Sequence, residues 1–530
     1  MHQGVLALRR LVAVAGSDPP PVRLAELVAT ISLGTDLGLG QPMQHVIRQT
    51  IISLRIGDLL ALETRERAVL YYAGLLAWVG CHTDAYEQAK WFGDDIAFKR
   101  DAMFADQGVV TLARHLVTHL AAGRPLPDRL RTGMVFPVQG ARWFGQILHS
   151  HWQTTDLLAA RLGLGEDVRQ SLKESYERWD GRGARGMRGE SIRLTSRIVY
   201  LADVAAAFER LAGYDEAVAT VRARGGSALD PALAELFCDH ARDLLDGLDC
   251  PSHWDAILEA EPELAATVDE EGLDHALAVI ADFTDLKSPY FIGHSRAVAT
   301  LAGEVAGALG LDETTATAVR RAGLVHDFGR LGVSNAIWDK PGSLTVSERE
   351  RVRMHPYLTE RMLAFSPRLA ELGAIAVQHH ERLDGSGYPR GLSGSAVSLP
   401  GRVLGVADSY TTMLADRPHR PAKSRGEAIA SLRDQVRAGA LDGEVVAAVI
   451  GVVEEKAPRK RTWPAGLTAR EVEILRLLTL GLTNREIAER LTIARKTVGA
   501  HVEHIYAKTG ATNRATAGLF AMQHDLVTPP

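Results

Sequence analysis

The sequence predicts an all-α protein: two helical bundles in tandem, followed by a small helical domain. Three observations point there. Apolar residues recur at three- and four-residue intervals, as in Leu277, Ile280, Ala281, Phe283 and Leu286. That is the spacing of one helix face, and strand-like alternation is nearly missing. Gly/Pro/Asp clusters interrupt the pattern at 225–231, near Pro251-Ser252, at Pro389–Pro400 and at Ala457–Pro464, where turns are expected. The third observation is an internal repeat. With His45 set beneath His294, the next 32 positions align without a gap, and Ala73-Gly74-Leu75 falls under Ala322-Gly323-Leu324. Further on, Glu177-Arg178-Trp179-Asp180-Gly181-Arg182-Gly183 falls under Glu381-Arg382-Leu383-Asp384-Gly385-Ser386-Gly387. After a one-residue gap, Arg197-Ile198-Val199-Tyr200-Leu201-Ala202-Asp203 matches Arg402-Val403-Leu404-Gly405-Val406-Ala407-Asp408. Shared order and spacing over this length mark two copies of one unit.

Composition bounds the class. At 530 residues the chain needs two to four cores,. Its 46% hydrophobic and 24% charged residues are ordinary for a globular protein,. No run of eighteen or more apolar residues is present, so no membrane span is expected. The start, Met1-His2-Gln3, lacks the basic flank and apolar core of a secretion signal,. Cys81, Cys238 and Cys250 have neither metal-like spacing nor a disulfide framework,. A cytoplasmic location fits. Residues 456–530 carry twelve Lys/Arg and six Asp/Glu, net +6, which leaves −11 of the overall −5 on the remainder. A basic tail on an acidic body points to a polyanionic partner for the tail.

The copies differ where chemistry would sit. His326-Asp327 of the second corresponds to Ala77-Trp78 of the first, and His379-His380 to Ser175-Tyr176. The first copy keeps His45, His151 and Asp203, and carries about 45 extra residues before His151. Three scattered ligands do not make a tight two-metal site, so the first copy is expected to be catalytically dead. In the second copy the candidate ligands are His294, His326, Asp327, His355, His379, His380 and Asp408. Neutral imidazole and carboxylate are the usual ligands of a divalent metal. Leu324-Val325 leads into His326-Asp327 from an apolar stretch, and burying those groups unpaired would cost several kcal/mol, a penalty that coordination removes. On a helix, neighbours diverge by about 100°. His326 and Asp327 would then serve one centre only if it straddles that ridge or if the carboxylate bridges two metals.

Residues 270–455 resemble the HD-GYP branch of the HD metallophosphohydrolases. The matching motifs are His294-Ser295, His326-Asp327-x-Gly329, Lys340-Pro341-Gly342, His355, His379-His380-Glu381, Asp384-Gly385-x-Gly387-Tyr388-Pro389 and Ala407-Asp408. The resemblance implies hydrolysis of a cyclic dinucleotide, chiefly cyclic di-GMP, with two divalent metal ions, iron or manganese. It implies that His294, His326, Asp327 and Asp408 hold one metal, that His355, His379 and His380 hold the second, and that Asp327 bridges. It further implies in-line attack on phosphorus by an activated water, with charge on the non-bridging oxygens neutralised. Arg330 or Lys340 would grip the phosphate. Asp384, Gly387, Tyr388 and Pro389 would border the nucleotide pocket, in a segment that also reads as a tight turn.

The chain departs from the family in places. Arg330 stands where Lys is usual, keeping the charge but not the ability to deprotonate. Residues 288–291 offer no carboxylate for a third metal, and Arg417-Pro418-His419-Arg420 has His where Tyr is commoner.

In the tail, Thr468 with Glu471, and Thr483 with Glu486, have capping-box spacing,. Ile487, Ala488 and Leu491 form an inner face, and Arg495–Thr509 would be a third helix, suited to a DNA major groove. The segment resembles the LuxR-type helix-turn-helix through Leu467-Thr468-x-Arg470-Glu471, Gly481-x-x-Asn484-x-Glu486-Ile487-Ala488, Thr497-Val498-x-x-His501-x-x-x-Ile505-x-x-Lys508 and Arg514. Double-stranded DNA is therefore the expected partner, bound by a homodimer. Arg495, Lys496, Lys508 and Arg514 would contact phosphates. Thr497, Gly499, Ala500 and Glu503 lie on the reading side, where small residues admit thymine methyls and Glu503 would accept from cytosine.

The expected organisation is a degenerate HD-like domain over 1–250, an HD-GYP domain over 251–456, a basic linker over 457–465 and a helix-turn-helix domain over 466–530. The expected function is a transcription regulator whose cyclic dinucleotide phosphodiesterase is coupled to DNA binding. Two alternatives are a slow or non-catalytic nucleotide sensor and an HD hydrolase of another phosphoester.

Overall fold

The computed structural model describes residues 22–104, 114–116, 118–122, 126–248, 250, 252–262, 267–455, 463–524 and 526–527. The start of the chain and most of the linker expected at 457–465 lie outside the described residues.

Helices dominate. In the first copy they are α1 (Leu24–Gly38), α2 (His45–Leu59), α3 (Thr64–Leu76), α4 (Ala85–Phe92), α5 (Asp95–Phe104), α6 (Leu126–Arg161), α7 (Glu166–Glu174), α8 (Leu194–Ala212), α9 (Tyr214–Arg224) and α10 (Pro231–Leu245). After the connecting α11 (Trp254–Glu259), the second copy runs α12 (Glu270–Asp285), α13 (His294–Ala308), α14 (Glu313–Val325), α15 (Asn335–Trp338), α16 (Val346–Arg353), α17 (His355–Leu363), α18 (Pro367–Ala376), α19 (Leu399–Met413), α20 (Arg425–Arg437) and α21 (Gly443–Glu455). The last domain is α22 (Ala469–Thr479), α23 (Asn484–Leu491), α24 (Arg495–Thr509) and α25 (Arg514–Gln523).

The repeat seen in the sequence is a repeat in space. Helices α2 and α3 match α13 and α14, each pair followed by a 3-10 turn, Val79–His82 in one copy and Phe328–Gly332 in the other. Helix α8 matches α19, and α9 and α10 match α20 and α21. The extra residues of the first copy include the part of the 36-residue α6 that precedes His151.

The two copies share one core. Leu27, Ile31, Ile52, Tyr71 and Phe237 from the first are fully buried in the same apolar cluster as Phe283, Val325, Phe328 and Leu363 from the second. A two-stranded antiparallel ribbon adds to the joint, with Val22 opposite Val268 and Arg23 opposite Thr267. A buried carboxylate, Asp282, ties the copies further. Its oxygens take Arg161 Nη1 at 2.6 Å and Arg296 Nε at 2.6 Å. Past residue 250, α11 packs back onto α2, and the Tyr71 hydroxyl of α3 donates to the Ile257 carbonyl at 3.0 Å.

The C-terminal domain has its own core of Val472, Leu475, Ile487, Val498 and Ile505. Both expected capping boxes form: Thr468 caps α22 and Thr483 caps α23, each with its Glu side chain returning to the cap N–H at 2.7 Å. The domain rests on both copies. Asn513 Nδ2 donates to Gln153 Oε1 at 2.5 Å, and Arg490 meets Asp416 at 3.2 Å.

Two predictions arise. At the α13/α14 crossing, a side chain on Gly323 would begin 2.7 Å from the Ala299 Cα. Gly323→Val should cost about 1–3 kcal/mol through overpacking, read as a lower urea midpoint, whereas Gly451→Ala, in open space within α21, should gain about 0.5–1 kcal/mol. Burial opposes ionisation of Glu471, but Lys508 and Thr468 overcome it and hold the carboxyl down to about 2. The stability it contributes is complete above its ordinary value of 4.5 and is lost as pH falls through about 2,. Glu471→Gln should therefore lower the melting temperature of the C-terminal domain at pH 7, with the difference from wild type shrinking steadily below pH 4.5.

Candidate metal centre

The centre forms where four helix ends and one helix flank converge. His294 is the first residue of α13. His326 and Asp327 follow the last residue of α14, and the 3-10 turn starts at Phe328. His326 keeps helical φ/ψ of −57° and −32° and Asp327 stands at −99° and 6°, and from there the Asp327 carboxylate reaches both groups of imidazoles, as a carboxylate shared across the ridge would. His355 opens α17, His379 and His380 sit in the turn after α18, and Asp408 projects from within α19.

The motif glycine Gly329 makes this convergence possible. A Cβ there would lie 2.0 Å from the His355 carbonyl oxygen, and its N–H donates to Thr359 Oγ1 at 2.8 Å. The helix bearing His355 can thus press directly against the turn that bears Asp327.

Asp327 divides its two oxygens. Oδ2 lies 3.0 Å from His326 Nε2 and 3.4 Å from His294 Nε2. Oδ1 lies 3.3 Å from His355 Nε2 and 3.7 Å from His379 Nε2. Asp408 closes the first side, 3.2 Å from His294 Nε2, and reaches towards His380 Nδ1 at 3.9 Å. Six of the seven expected residues form two sets, His294, His326 and Asp327 in one and His355, His379 and His380 in the other, and Asp408, the seventh, lies beside both.

Backbone carbonyls fix the imidazole tautomers. The Nδ1 atoms of His326, His355 and His379 lie 2.8, 2.6 and 2.6 Å from the carbonyls of Gly323, Val352 and Ala376. A carbonyl only accepts, so each Nδ1 carries the proton and each Nε2 presents a lone pair inward. His355 Nε2 and His379 Nε2 then face each other at 3.2 Å as two acceptors. Neither oxygen of the buried Asp327 accepts an aligned hydrogen bond, and the same is true of His294 Nε2 and His326 Nε2. Inward-facing buried lone pairs of this kind fit a cation and little else.

Charge states agree. Burial opposes ionisation of Asp327, yet Arg330 and His326 hold it well below the carboxylate range. Asp408 is likewise held down, against burial, chiefly by His294 and His380. Burial together with neighbouring His326 and His355 lowers His379 to about 3, and burial with His379 lowers His380. Anionic carboxylates and neutral imidazoles are what metal binding requires. His326 moves upward because Asp327 outweighs its burial, so a proton and a metal compete for that ring.

Arg330 lies at the rim, its Nη1 2.8 Å from Asp327 Oδ2. Its guanidinium packs 3.6 Å from the Phe291 ring and 4.8 Å from Trp338. On Phe291 a second cation, Arg417, sits at 4.2 Å. Burial and the neighbouring Arg330 lower Arg417 to about 9. Sequence reasoning did not assign Arg417.

The remaining expected residues are placed as follows. Tyr388 stacks 4.6 Å from His380, beside Pro389. Gly387 has no room for a side chain, since a Cβ would lie 2.4 Å from Arg382 N. Asp384 is exposed and accepts from Ser386 N and Oγ at 3.0 and 2.7 Å, a turn-forming role. Lys340 differs from expectation: its ammonium is paired with Glu348 at 2.7 Å rather than turned to the centre. In α24, Arg495, Lys496, Thr497, Ala500 and Glu503 are exposed and Gly499 is half-buried. Lys508 bonds Glu471 at 2.7 Å and Arg514 donates to the Leu482 carbonyl at 2.7 Å, so both serve the domain's own fold.

Asp285 was also missed. Buried, and pushed up by burial to about 6, it accepts from Ser295 N and Oγ at 2.9 and 2.7 Å and so anchors the helix start that carries His294. Asp36 does the same in the first copy, accepting from the His45 and Val46 N–H groups at 3.0 Å. The signal was the equal spacing, nine residues before each histidine.

The first copy has filled its centre. Trp78 and Tyr176 pack edge-on at 5.4 Å, and Trp78 Nε1 donates to Gln49 Oε1 at 2.8 Å. His45 pairs with Asp203 at 3.5 Å and with Arg210 at 2.8 Å, while His151 pairs with Asp84 at 3.2 Å. Among the described residues, no three ligating groups converge in this copy.

Residues 278–445 match the HD domain family, and residues 465–521 match the bacterial regulatory proteins of the luxR family. The chain is 32% identical over 432 residues to the 3'3'-cGAMP-specific phosphodiesterase 3 of Vibrio cholerae serotype O1, covering 80% of this chain and 94% of that one. It is 35% identical over 174 residues to a cyclic di-GMP phosphodiesterase of Thermotoga maritima, covering 32% of this chain and 47% of the relative. The solved structure of a cyclic GMP-AMP-specific phosphodiesterase of V. cholerae (V-cGAP3) superimposes with a TM-score of 0.59 at 27% identity, over 83% of this chain and 99% of that one. The chain belongs to the HD-GYP cyclic dinucleotide phosphodiesterases, as a member that carries a LuxR-type DNA-binding domain.

Proposed function

We propose that this protein is a metal-dependent phosphodiesterase that opens a cyclic dinucleotide at the His294–Asp408 centre, and that its C-terminal domain binds double-stranded DNA under the influence of that site. The observation that carries the proposal is the partition of the Asp327 oxygens between two sets of inward-facing imidazoles. His294, His326, Asp327 and Asp408 would hold one divalent ion, and His355, His379 and His380 the other, with Asp327 shared. Bound there, such ions supply Lewis acidity and an acidified water at neutral pH.

The chain's own residues do the rest. The Gly323, Val352 and Ala376 carbonyls keep the ring protons on the outer nitrogens, so the inner ones stay free to coordinate. Arg330 and Arg417, both buried beside Phe291, place positive charge where phosphate oxygens gather charge in the transition state,. Held in a dry, aromatic-lined wall, neither has to reorganise as that charge develops. Tyr388 gives a base a flat face next to His380.

The long match to a cGAMP-specific relative favours 3'3'-cGAMP as the substrate to try first, ahead of the cyclic di-GMP that the family resemblance implies. For DNA, Arg495 and Lys496 supply exposed charge at the start of α24, with Thr497, Ala500 and Glu503 on the same exposed helix. A homodimer on a two-fold site would present two such helices.

With 3'3'-cGAMP and cyclic di-GMP run side by side, wild type should open at least one of them. Asp327→Ala should lose more than about 100-fold in rate, in line with removal of a transition-state stabilising group, and should retain less than half the wild-type metal per chain. Turnover that survives the substitution would remove the centre from the reaction. For the tail, Lys496→Ala should weaken DNA binding and reduce the slope of log K against log salt by about one. An unchanged slope would take Lys496 off the phosphate backbone.

A further inference from the structure

Asp95 belongs to the first copy and opens α5, yet its side chain is fully buried against the second copy. Oδ1 accepts from Ser334 Oγ and from the Asn335 N–H, both at 2.8 Å, at the start of α15. Oδ2 lies 3.4 Å from Lys287 Nζ and 3.7 Å from Lys99 Nζ. Asn335 Nδ2 then donates to the Lys287 carbonyl at 2.7 Å and to Asp339 Oδ2 at 2.8 Å, while Ser288 Oγ donates to Asp339 Oδ1 at 2.6 Å. One carboxylate therefore fastens together two second-copy segments, 287–288 and 334–339.

Both segments lead into the centre. Six residues after Ser288 comes His294, and Phe291 lies between them. The 334–339 segment carries Trp338, whose Nε1 donates to the Arg330 carbonyl at 3.4 Å. Phe291 and Trp338 pack edge-on at 5.7 Å and together grip the Arg330 guanidinium. Two ammonium groups around one carboxylate, out of water, are tolerable only while that carboxylate is ionised and in place.

We infer that Asp95 is a positioning residue for the reaction: from the catalytically silent copy, it sets the Phe291–Trp338 clamp that aims Arg330 at the phosphate. This gives the first copy a chemical task that survives the loss of its own ligands. The inference rests on the hydrolase reading above, and the experiment separates the two.

The full-length protein is assayed for kcat and KM on 3'3'-cGAMP as wild type, Asp95→Asn, Asp95→Ala, Ser334→Ala and Arg330→Ala, with metal per chain measured for each. The same proteins are titrated with a phosphorothioate analogue of 3'3'-cGAMP. Asp95→Asn keeps an acceptor for Ser334 and Asn335 but removes the counter-charge of Lys287 and Lys99, and its kcat/KM should fall between those of wild type and Asp95→Ala,. Asp95→Ala should lower kcat/KM by about 10²-fold, the scale of an ångström's misplacement at a reacting centre, with metal content unchanged. In the Arg330→Ala background the same change should have almost no further effect, because both act through one guanidinium. Additive losses, or loss of metal in step with activity, would overturn the positioning role. If Asp95→Ala does not fold, Ser334→Ala decides: it removes one hydrogen bond to Asp95, and a wild-type kcat/KM would overturn the inference. A wild-type chain that binds the analogue without turnover overturns the hydrolase reading alone, and the affinity ratio of the Asp95 variants still decides the inference.

Discussion

One buried carboxylate organises the second copy. Asp327 is out of contact with water, ionised, and holds its oxygens towards two different groups of imidazoles. Desolvation opposes that state strongly, and only cations offset it. Arg330 is one such cation, at 2.8 Å, and the inward lone pairs of the histidines call for more. The helix ends at His294, His326, His355 and His379, the close approach at Gly329 and the carbonyl partners of three Nδ1 atoms all serve this one point. The fold around it is therefore best understood as a device for keeping ligands dry, deprotonated and aimed.

The first copy shows the same frame without that constraint. Trp78 stands where Asp327 would, so the charge that demanded partners is gone, and an aromatic pair fills the space. The surviving His45 and His151 have each taken a carboxylate partner. Losing the ligands did not loosen the frame, because the helix-anchoring aspartate is present in both copies and the apolar core runs through both. A copy so deeply shared in packing is free to lose its chemistry while still shaping its neighbour's.

Much of this was legible in the sequence. The seven side chains that converge, their replacement in the first copy and the bounds of α24 follow from motif order, repeat alignment and caps, all of which are local or periodic signals. What was not legible depends on which side chains pair once the chain is folded. Lys340 looked free for phosphate until its neighbour Glu348 proved close enough to claim it. Lys508 and Arg514 looked like DNA contacts, but they close the domain on Glu471 and on the Leu482 carbonyl. Arg417 acquires meaning only from Phe291, far away in the chain, and Asp95 only from Lys287 and Ser334 in the other copy. The dyad His326-Asp327 sits where α14 passes into the 3-10 turn, and of the two arrangements open to neighbouring helical residues it takes the one in which the carboxylate faces both groups of imidazoles.

The most direct test is crystallographic. Anomalous scattering at the iron and manganese edges, from crystals of the intact chain grown with metal under low oxygen, locates the ions without reference to activity. The account predicts two peaks, one on each side of Asp327, and none near Trp78. A single peak away from Asp327, or a peak among His45, His151 and Asp203, would contradict it.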